Sequence, residues 1–170
     1  SSDLSVLGFL VRFYTVGTTP HGTSGRNTKE QVAEELNSSG IYSVVRHPLY
    51  LGNYLIWLGI VVFTKNMPFM IVFSLAYWLY YERIMMAEEH FLQGKFGKAF
   101  DDWSSRIPAF LPRFSGFKAP LVSFRMKPVL RREYSGILAT VIGFVYVELL
   151  IGYVRFGTFT VGSHIGRAHV

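Results

Sequence analysis

The chain has 170 residues, no cysteine and a formal net charge of +6, and is the length of a single domain. Half of its residues are hydrophobic and only 16% are charged, against roughly 25% in an average soluble domain, which argues for a membrane protein. Disulfide and thiol chemistry are excluded. With no aromatic-basic recognition motif, the positive charge reads as membrane topology and anionic-lipid contact rather than nucleic-acid binding.

Four apolar stretches occur in chain order, at residues 4–16, 49–63, 67–81 and 136–154. The first is too short to span a bilayer alone and reads as the end of a longer helix. A turn-rich connection follows, including Gly22-Thr23-Ser24-Gly25-Arg26-Asn27, which reads as a plain loop, the alternative being a cap over a ligand pocket or a head-group contact. Thr28 and Gln31 make a capping-box pattern that predicts a short helix over 29–37. The second and third stretches are joined only by Thr64-Lys65-Asn66, with Pro68 opening the third, so they read as a tight helical hairpin. To cross roughly 30 Å at about 1.5 Å per residue, each must borrow polar residues, extending to 42–63 and 67–88. That brings Arg46, His47, Glu82, Arg83 and Glu88 to the membrane boundary, where charged groups are functional candidates.

The helix begun at 67 is expected to continue to about Ser104, and Pro108, Pro112, Pro120 and Pro128 keep the following chain irregular. The basic run around Lys127, Arg131 and Arg132 reads as a topogenic anchor before the last stretch, with a lipid-phosphate site as the alternative. That stretch, 136–154, has Glu148 as its one charged residue and is long enough to span. Residues 156–170 read as a polar tail. Thirteen of the 17 Lys and Arg fall in the two long connections, 17–48 and 82–134. The positive-inside rule makes those connections cytoplasmic. The expected architecture is an all-α, polytopic transmembrane helical bundle of about four segments, forming one domain over 1–170.

Two constellations carry the chemistry. The first is Arg46-His47-Pro48-Leu49-Tyr50-Leu51-Gly52-Asn53. Pro48 suits the first turn of a helix. His47, Tyr50, Leu51 and Tyr54 share a face by their spacing, and Gly52 permits close approach by another helix or a ligand. The second is the end of the third segment. Glu82 and Glu89 lie on one stripe, Arg83 and His90 on the next, and Glu88 about 100° from Glu89. The five histidines show no zinc-ligand spacing, so no metal site is expected.

These residues resemble the signature of the isoprenylcysteine carboxyl methyltransferase and phospholipid methyltransferase family of integral membrane enzymes. The match comprises Gly40-x-Tyr42-x-x-Val45-Arg46-His47-Pro48-x-Tyr50-x-Gly52, Glu88-Glu89-x-x-Leu92, Phe96-Gly97, and Ile107-Pro108 with Leu111-Pro112. Phe100 and Trp103 replace two tyrosines of the family pattern, and the match covers about residues 40–112. The resemblance implies S-adenosylmethionine as methyl donor, in a cytosol-facing pocket between the two motif helices. Its implied binding residues are Tyr42, Val45, Arg46, His47, Pro48, Tyr50, Gly52, Glu88 and Glu89. Glu88 or Glu89 suits the donor's ammonium, while Arg46 or His47 suits its carboxylate. Arg83 would orient an anionic acceptor, and Glu89 or His90 would act as base if the acceptor were an amine.

The implied acceptor is an amphipathic lipid or lipidated molecule whose nucleophile, carboxylate, phosphate, amine or thiol, stays open. Sterol and steroid reductases that use NADPH share an RHPNYxGE-like signature, but Leu49 and Asn53 stand where their Asn and Glu would be. A lipid-binding membrane protein without catalysis is the other alternative.

Overall fold

The computed structural model describes residues 2–20 and 35–157, except for the side chains of residues 155 and 156. The described chain is all-α. Its helices are α1 (Ser2–Thr18), α2 (Pro48–Phe63), α3 (Met67–Phe96), α4 (Lys98–Ser104) and α5 (Met126–Phe156), with a 3-10 turn at Ile41–Ser43. Most of the predicted short helix 29–37, the 22–27 loop and the tail from 158 lie outside the described residues. Residues 35–37 are irregular.

The four longer helices run alternately up and down. Residues Ser5 and Arg12 of α1 meet Ile56 and Asn53 of α2, so the two are antiparallel. Tyr54 of α2 meets Ser74 of α3, and Tyr77 of α3 reaches back to Tyr50, again antiparallel. In α5, Glu133 meets Arg12 while Phe144 meets Phe63, so α5 is antiparallel to α1 and parallel to α2. The polar ends of α2, α3 and α5 and the C-terminal end of α1 thus lie together.

Helices α1 and α2 approach closely because Gly8 and Gly52 face each other. A Cβ on Gly8 would stand 2.6 Å from the Gly52 carbonyl oxygen. Of the two uses Gly52 permits, the structure takes the helix contact: it faces α1 rather than a ligand site. Next to it lies a charge network. The Arg12 guanidinium donates to both carboxylate oxygens of Glu133, at 2.6 and 2.7 Å, and to Asn53 Oδ1 at 2.6 Å. Glu133 is 2% exposed. An isolated charge at such a place would be costly, and this pairing satisfies both.

Local chemistry accounts for the helix boundaries, some of which differ from expectation. Helix α2 starts at Pro48, not at 42. A residue preceding proline is biased away from helical angles. In addition, the backbone N–H groups of Arg46 and His47 are committed elsewhere, donating to the carbonyls of Pro108 and Ala109 at 2.9 and 3.1 Å. The expected continuous helix to Ser104 is broken at Gly97, whose φ of 51° is left-handed, and α4 resumes beyond it. The last helix begins ten residues before its apolar stretch, at Met126. Asn66 caps α3 by accepting from the Phe69 N–H at 3.0 Å.

Among the described residues one helix, α5, is long and apolar enough over Met126–Val154 to cross a membrane by length and composition. The apolar α2 has 16 residues. These helices show an all-α chain with one clear spanning candidate; four crossings do not follow from their lengths.

Candidate active site

The largely irregular segment 40–47 is held in place by the end of α4 and the irregular segment 105–125, laid across it. Besides the two bonds to Arg46 and His47, Arg113 N–H donates to the Val44 carbonyl at 2.9 Å, and Gly40 N–H to the Lys118 carbonyl at 2.9 Å. The Trp103 indole N–H donates to the Tyr42 carbonyl at 3.1 Å, and the Lys118 N–H to Ser43 Oγ at 2.9 Å. The Pro108-Ala109 pair therefore matters through its carbonyls: they take up backbone donors that a helix would otherwise use, and so fix Arg46 and His47 at the mouth of α2.

Held there, the two side chains meet the far end of α3. His47 Nε2 lies 2.7 Å from Glu89 Oε1, and Arg46 Nη1 donates to Glu89 Oε2 at 3.0 Å. Glu88 Oε2 lies 3.6 Å from His47 Nδ1 and accepts from the Tyr50 hydroxyl at 3.0 Å. The imidazole stacks on the Tyr50 ring, with centroids 5.6 Å apart. Tyr50 in turn lies 5.3 Å from Tyr81, which stacks on Tyr77 at 4.0 Å. One face of the cluster is thus ionic and the other aromatic.

The electrostatics follow from this geometry. Burial, the largest influence on His47, disfavours its charged form, but hydrogen bonds and charges from Glu88 and Glu89 outweigh it, and the His47 pKa is raised. For Glu89, burial pushes the pKa up. The hydrogen bond from His47 and the charges of Arg46 and His47 outweigh that, leaving it lowered. The pair accordingly favours imidazolium beside carboxylate. Burial, then the Glu88 charge, raises the Tyr42 pKa, so its hydroxyl stays protonated.

Apart from Tyr42, whose carbonyl accepts from Trp103, the predicted residues separate into three groups. Arg46, His47, Tyr50, Glu88 and Glu89 come together. Val45 is fully buried and Pro48 nearly so; with Gly52 they support the fold from behind. Arg83 and His90 are exposed on α3 and face away from the cluster. Counting from Tyr77 at about 100° per residue, Glu88 and Glu89 lie at about 20° and 120°, straddling the face toward α2. Arg83 and His90 fall near 240° and 220° by the same principle. The expected divergence of Glu88 from Glu89 is therefore the means by which both reach His47, one on each ring nitrogen. Tyr77, Tyr81 and Trp103 were not among the predicted site residues. The i, i+4 spacing of Tyr77 and Tyr81 was the available signal for the first two.

Two features suit a zwitterionic ligand. Arg46 Nε is buried without a hydrogen-bond partner, a donor left over for an anion. Glu88 has a side chain 40% exposed, so its carboxylate remains accessible to a cation. Among the described residues no three His, Cys, Asp or Glu side chains gather as a metal site.

The model of the phospholipid methyltransferase family matches residues 5–99, more than half of the chain, and includes both motifs. The chain belongs to the phospholipid methyltransferase family. It is 36% identical over 96 residues to the nickel-cobalt-cadmium resistance protein NccN of Alcaligenes xylosoxydans xylosoxydans, covering 56% of this chain and 42% of that protein. It is 28% identical over 114 residues to the protein-S-isoprenylcysteine O-methyltransferase of Schizosaccharomyces pombe, covering 64% and 48%. With the mouse protein-S-isoprenylcysteine O-methyltransferase the identity is 31% over 105 residues, covering 58% and 37%. The matched part is thus less than half the length of each of these relatives. No solved structure matches the chain. Family membership, with an apolar helix of spanning length, marks it as a membrane protein of a methyltransferase family.

Proposed function

We propose that this chain is an S-adenosylmethionine-dependent O-methyltransferase acting on an amphipathic, lipid-like or prenylated acceptor at the cytoplasmic face of a membrane. The observation that carries the reading is the convergence of Arg46, His47, Tyr50, Glu88 and Glu89, from two helix ends, into a paired but partly open ionic cluster. The donor's amino-acid end carries a carboxylate and an ammonium, which suit the spare Arg46 Nε donor and the accessible Glu88 carboxylate respectively. When bound, S-adenosylmethionine supplies an electrophilic methyl group.

Arg46 and His47 hold the donor's carboxylate end, Glu88 and Glu89 its ammonium, and Tyr50 and Tyr81 offer faces for its rings. The cluster would position the donor, the main requirement for methyl transfer to an anionic oxygen. No general base is required when the nucleophile is already a carboxylate or phosphate. Two relatives named as protein-S-isoprenylcysteine O-methyltransferases favour an oxygen nucleophile. In this reading the apolar stretches of α1, α2, α3 and α5 lie in the bilayer, with the cluster outside them at its cytoplasmic side, where most of the Lys and Arg lie.

Glu89 is assigned to holding the donor rather than to base catalysis, and Arg83 and His90, turned away, are assigned no catalytic part. Calorimetry of the purified protein with S-adenosylhomocysteine and with NADPH tests the proposal. Binding of the first and not the second is expected; no binding of S-adenosylhomocysteine at millimolar concentration removes it. Mass spectrometry of lipids and proteins from cells fed isotope-labelled methionine, with and without the enzyme, then names the acceptor.

A further inference from the structure

The segment that clamps the Arg46-His47 turn has an outer side with its own chemistry. From Trp103 to Arg132 there are seven Lys and Arg and no Asp or Glu. Over 111–127 the cations alternate with large apolar side chains that point outward: Leu111, Phe114, Phe117 and Leu121 are all more than half exposed, Leu121 reaching 85%. Arg113, Lys118 and Lys127 are exposed between them.

This segment is not a mobile loop that happens to show apolar residues. It is pinned at intervals by backbone bonds from Arg113 to Val44, between Gly40 and Lys118, and from Arg125 to Gly17, and by Arg125 Nη2 donating to the Thr19 carbonyl at 3.0 Å. The fold holds its apolar and basic side chains outward at a fixed position, directly before α5, the helix of spanning length. Exposed apolar groups in water need a covering partner. A partner that takes both aromatic rings and an unbroken run of cations combines an apolar layer with negative charge. An anionic lipid surface does this at one depth, rings among the acyl chains and cations at the head groups.

We infer that residues 111–127 form an interfacial docking strap for anionic lipid, pressed onto the leaflet where α5 enters it. Its inner edge holds Gly40, Ser43 and Val44, just ahead of Arg46 and His47, so the strap sets that turn at the membrane surface. The inference needs only membrane insertion of the chain and stands apart from the methyl-transfer reading.

The chain has no native cysteine, so a nitroxide can be placed singly at Phe117→Cys, with Phe114→Cys as a second site. Purified protein in nanodiscs of phosphatidylcholine alone, or of phosphatidylcholine with phosphatidylserine, is probed by collision with oxygen, which concentrates in lipid, and with a water-soluble nickel chelate. The ratio of oxygen to nickel collisions should be several-fold higher in the anionic discs. It should drop back in the variant Arg113→Glu/Lys118→Glu/Lys127→Glu. Labels that stay water-exposed in both discs overturn the inference. So do labels that enter lipid equally in both and ignore the charge reversal, since the cations would then play no part. Labels shielded from both reagents would show that protein, a second copy of the chain, covers the strap instead.

Discussion

The molecule contains two charged clusters built from similar groups, and they differ in completeness. Arg12, Asn53 and Glu133 form a closed set: both carboxylate oxygens of a 2% exposed Glu133 accept from one guanidinium, which also reaches Asn53. Arg46, His47, Glu88 and Glu89 form an open set: the glutamates are 40% and 25% exposed in their side chains and one arginine N–H is left over. Asn53 lies six residues beyond His47 on α2, about 9 Å deeper at 1.5 Å per residue. Helix α2 thus borders, through Asn53, an ion pair that joins α1 to α5, and at its start a set of charges with capacity to spare. Saturated charges hold structure together; unsaturated ones at an opening are available to a ligand.

The sharpest way to break the comparison is to remove one partner from the closed set. Glu133→Ala leaves Arg12, 19% exposed, with Asn53 but without its carboxylate, and should destabilise the fold by up to about 3–5 kcal/mol, the usual penalty for removing one partner of a buried pair. Arg12→Ala should cost a similar amount. The double variant Arg12→Met/Glu133→Leu, which removes both charges and keeps volume, should recover most of the loss. Thermal unfolding in detergent measures all three. A double variant as unstable as the singles would show that the helices depend on the pair itself.

Beside this pair, Gly8→Ala places a Cβ 2.6 Å from the Gly52 carbonyl oxygen and 2.8 Å from the Ile56 nitrogen. Backbone cannot yield as a side chain can, so a loss of roughly 1–3 kcal/mol is expected from overpacking, read in the same unfolding experiment. An unchanged midpoint would mean that α1 and α2 separate at little cost.

The two clusters also differ in how far the sequence discloses them. Arg46-His47-Pro48 and Glu88-Glu89 are runs of adjacent polar residues at the ends of apolar stretches, and adjacency makes a motif visible. Arg12 and Glu133 are 121 positions apart. Each reads alone as an awkward charge, and only the packing of α1 against α5 pairs them. The helical cores at 49–63 and 67–81 were legible from hydropathy. The start of α2 was not, because it depends on carbonyls of Pro108 and Ala109, some sixty residues away, taking the Arg46 and His47 donors. The orientation of Arg83 was legible in principle from helical spacing. What was missing was which side of α3 faces α2, set by Tyr77, Met85 and the glutamates.

In the open set the expected effects appear in binding before stability. Glu89→Gln loses the charge facing Arg46 and His47. It should weaken S-adenosylhomocysteine binding by roughly tenfold, the scale of one charge-assisted hydrogen bond, while moving the unfolding midpoint far less than Glu133→Ala does. Unchanged affinity in calorimetry would show that Glu89 takes no part in holding the donor.

A smaller effect is a pH dependence of the cluster. Because the Glu89 pKa is lowered from 4.5, its contribution is present above that value and lost as pH falls through the lowered one. Because the His47 pKa is raised from 6.5, its contribution is complete below 6.5 and lost as pH rises through the raised value. The difference in unfolding midpoint between the wild type and His47→Gln should therefore be greatest between about pH 4.5 and 6.5, the ordinary carboxyl and imidazole values. It should shrink above that range. A difference that grows toward alkaline pH would mean that His47 is held neutral.

The smallest effect is expected at the residues that resemble the open set in type but not in direction. Arg83 and His90 belong to the same polar end of α3 as Glu88 and Glu89, yet both are exposed and turned from α2 by more than a third of a helical turn. Arg83→Ala and His90→Ala should each leave S-adenosylhomocysteine affinity unchanged within about twofold and stability within about 0.5 kcal/mol, as for surface positions generally. A clear loss of affinity from Arg83→Ala would mean that α3 rotates when the donor binds. The face now turned outward would then have to be counted as part of the site, and the open set would be larger than the four charges seen to converge.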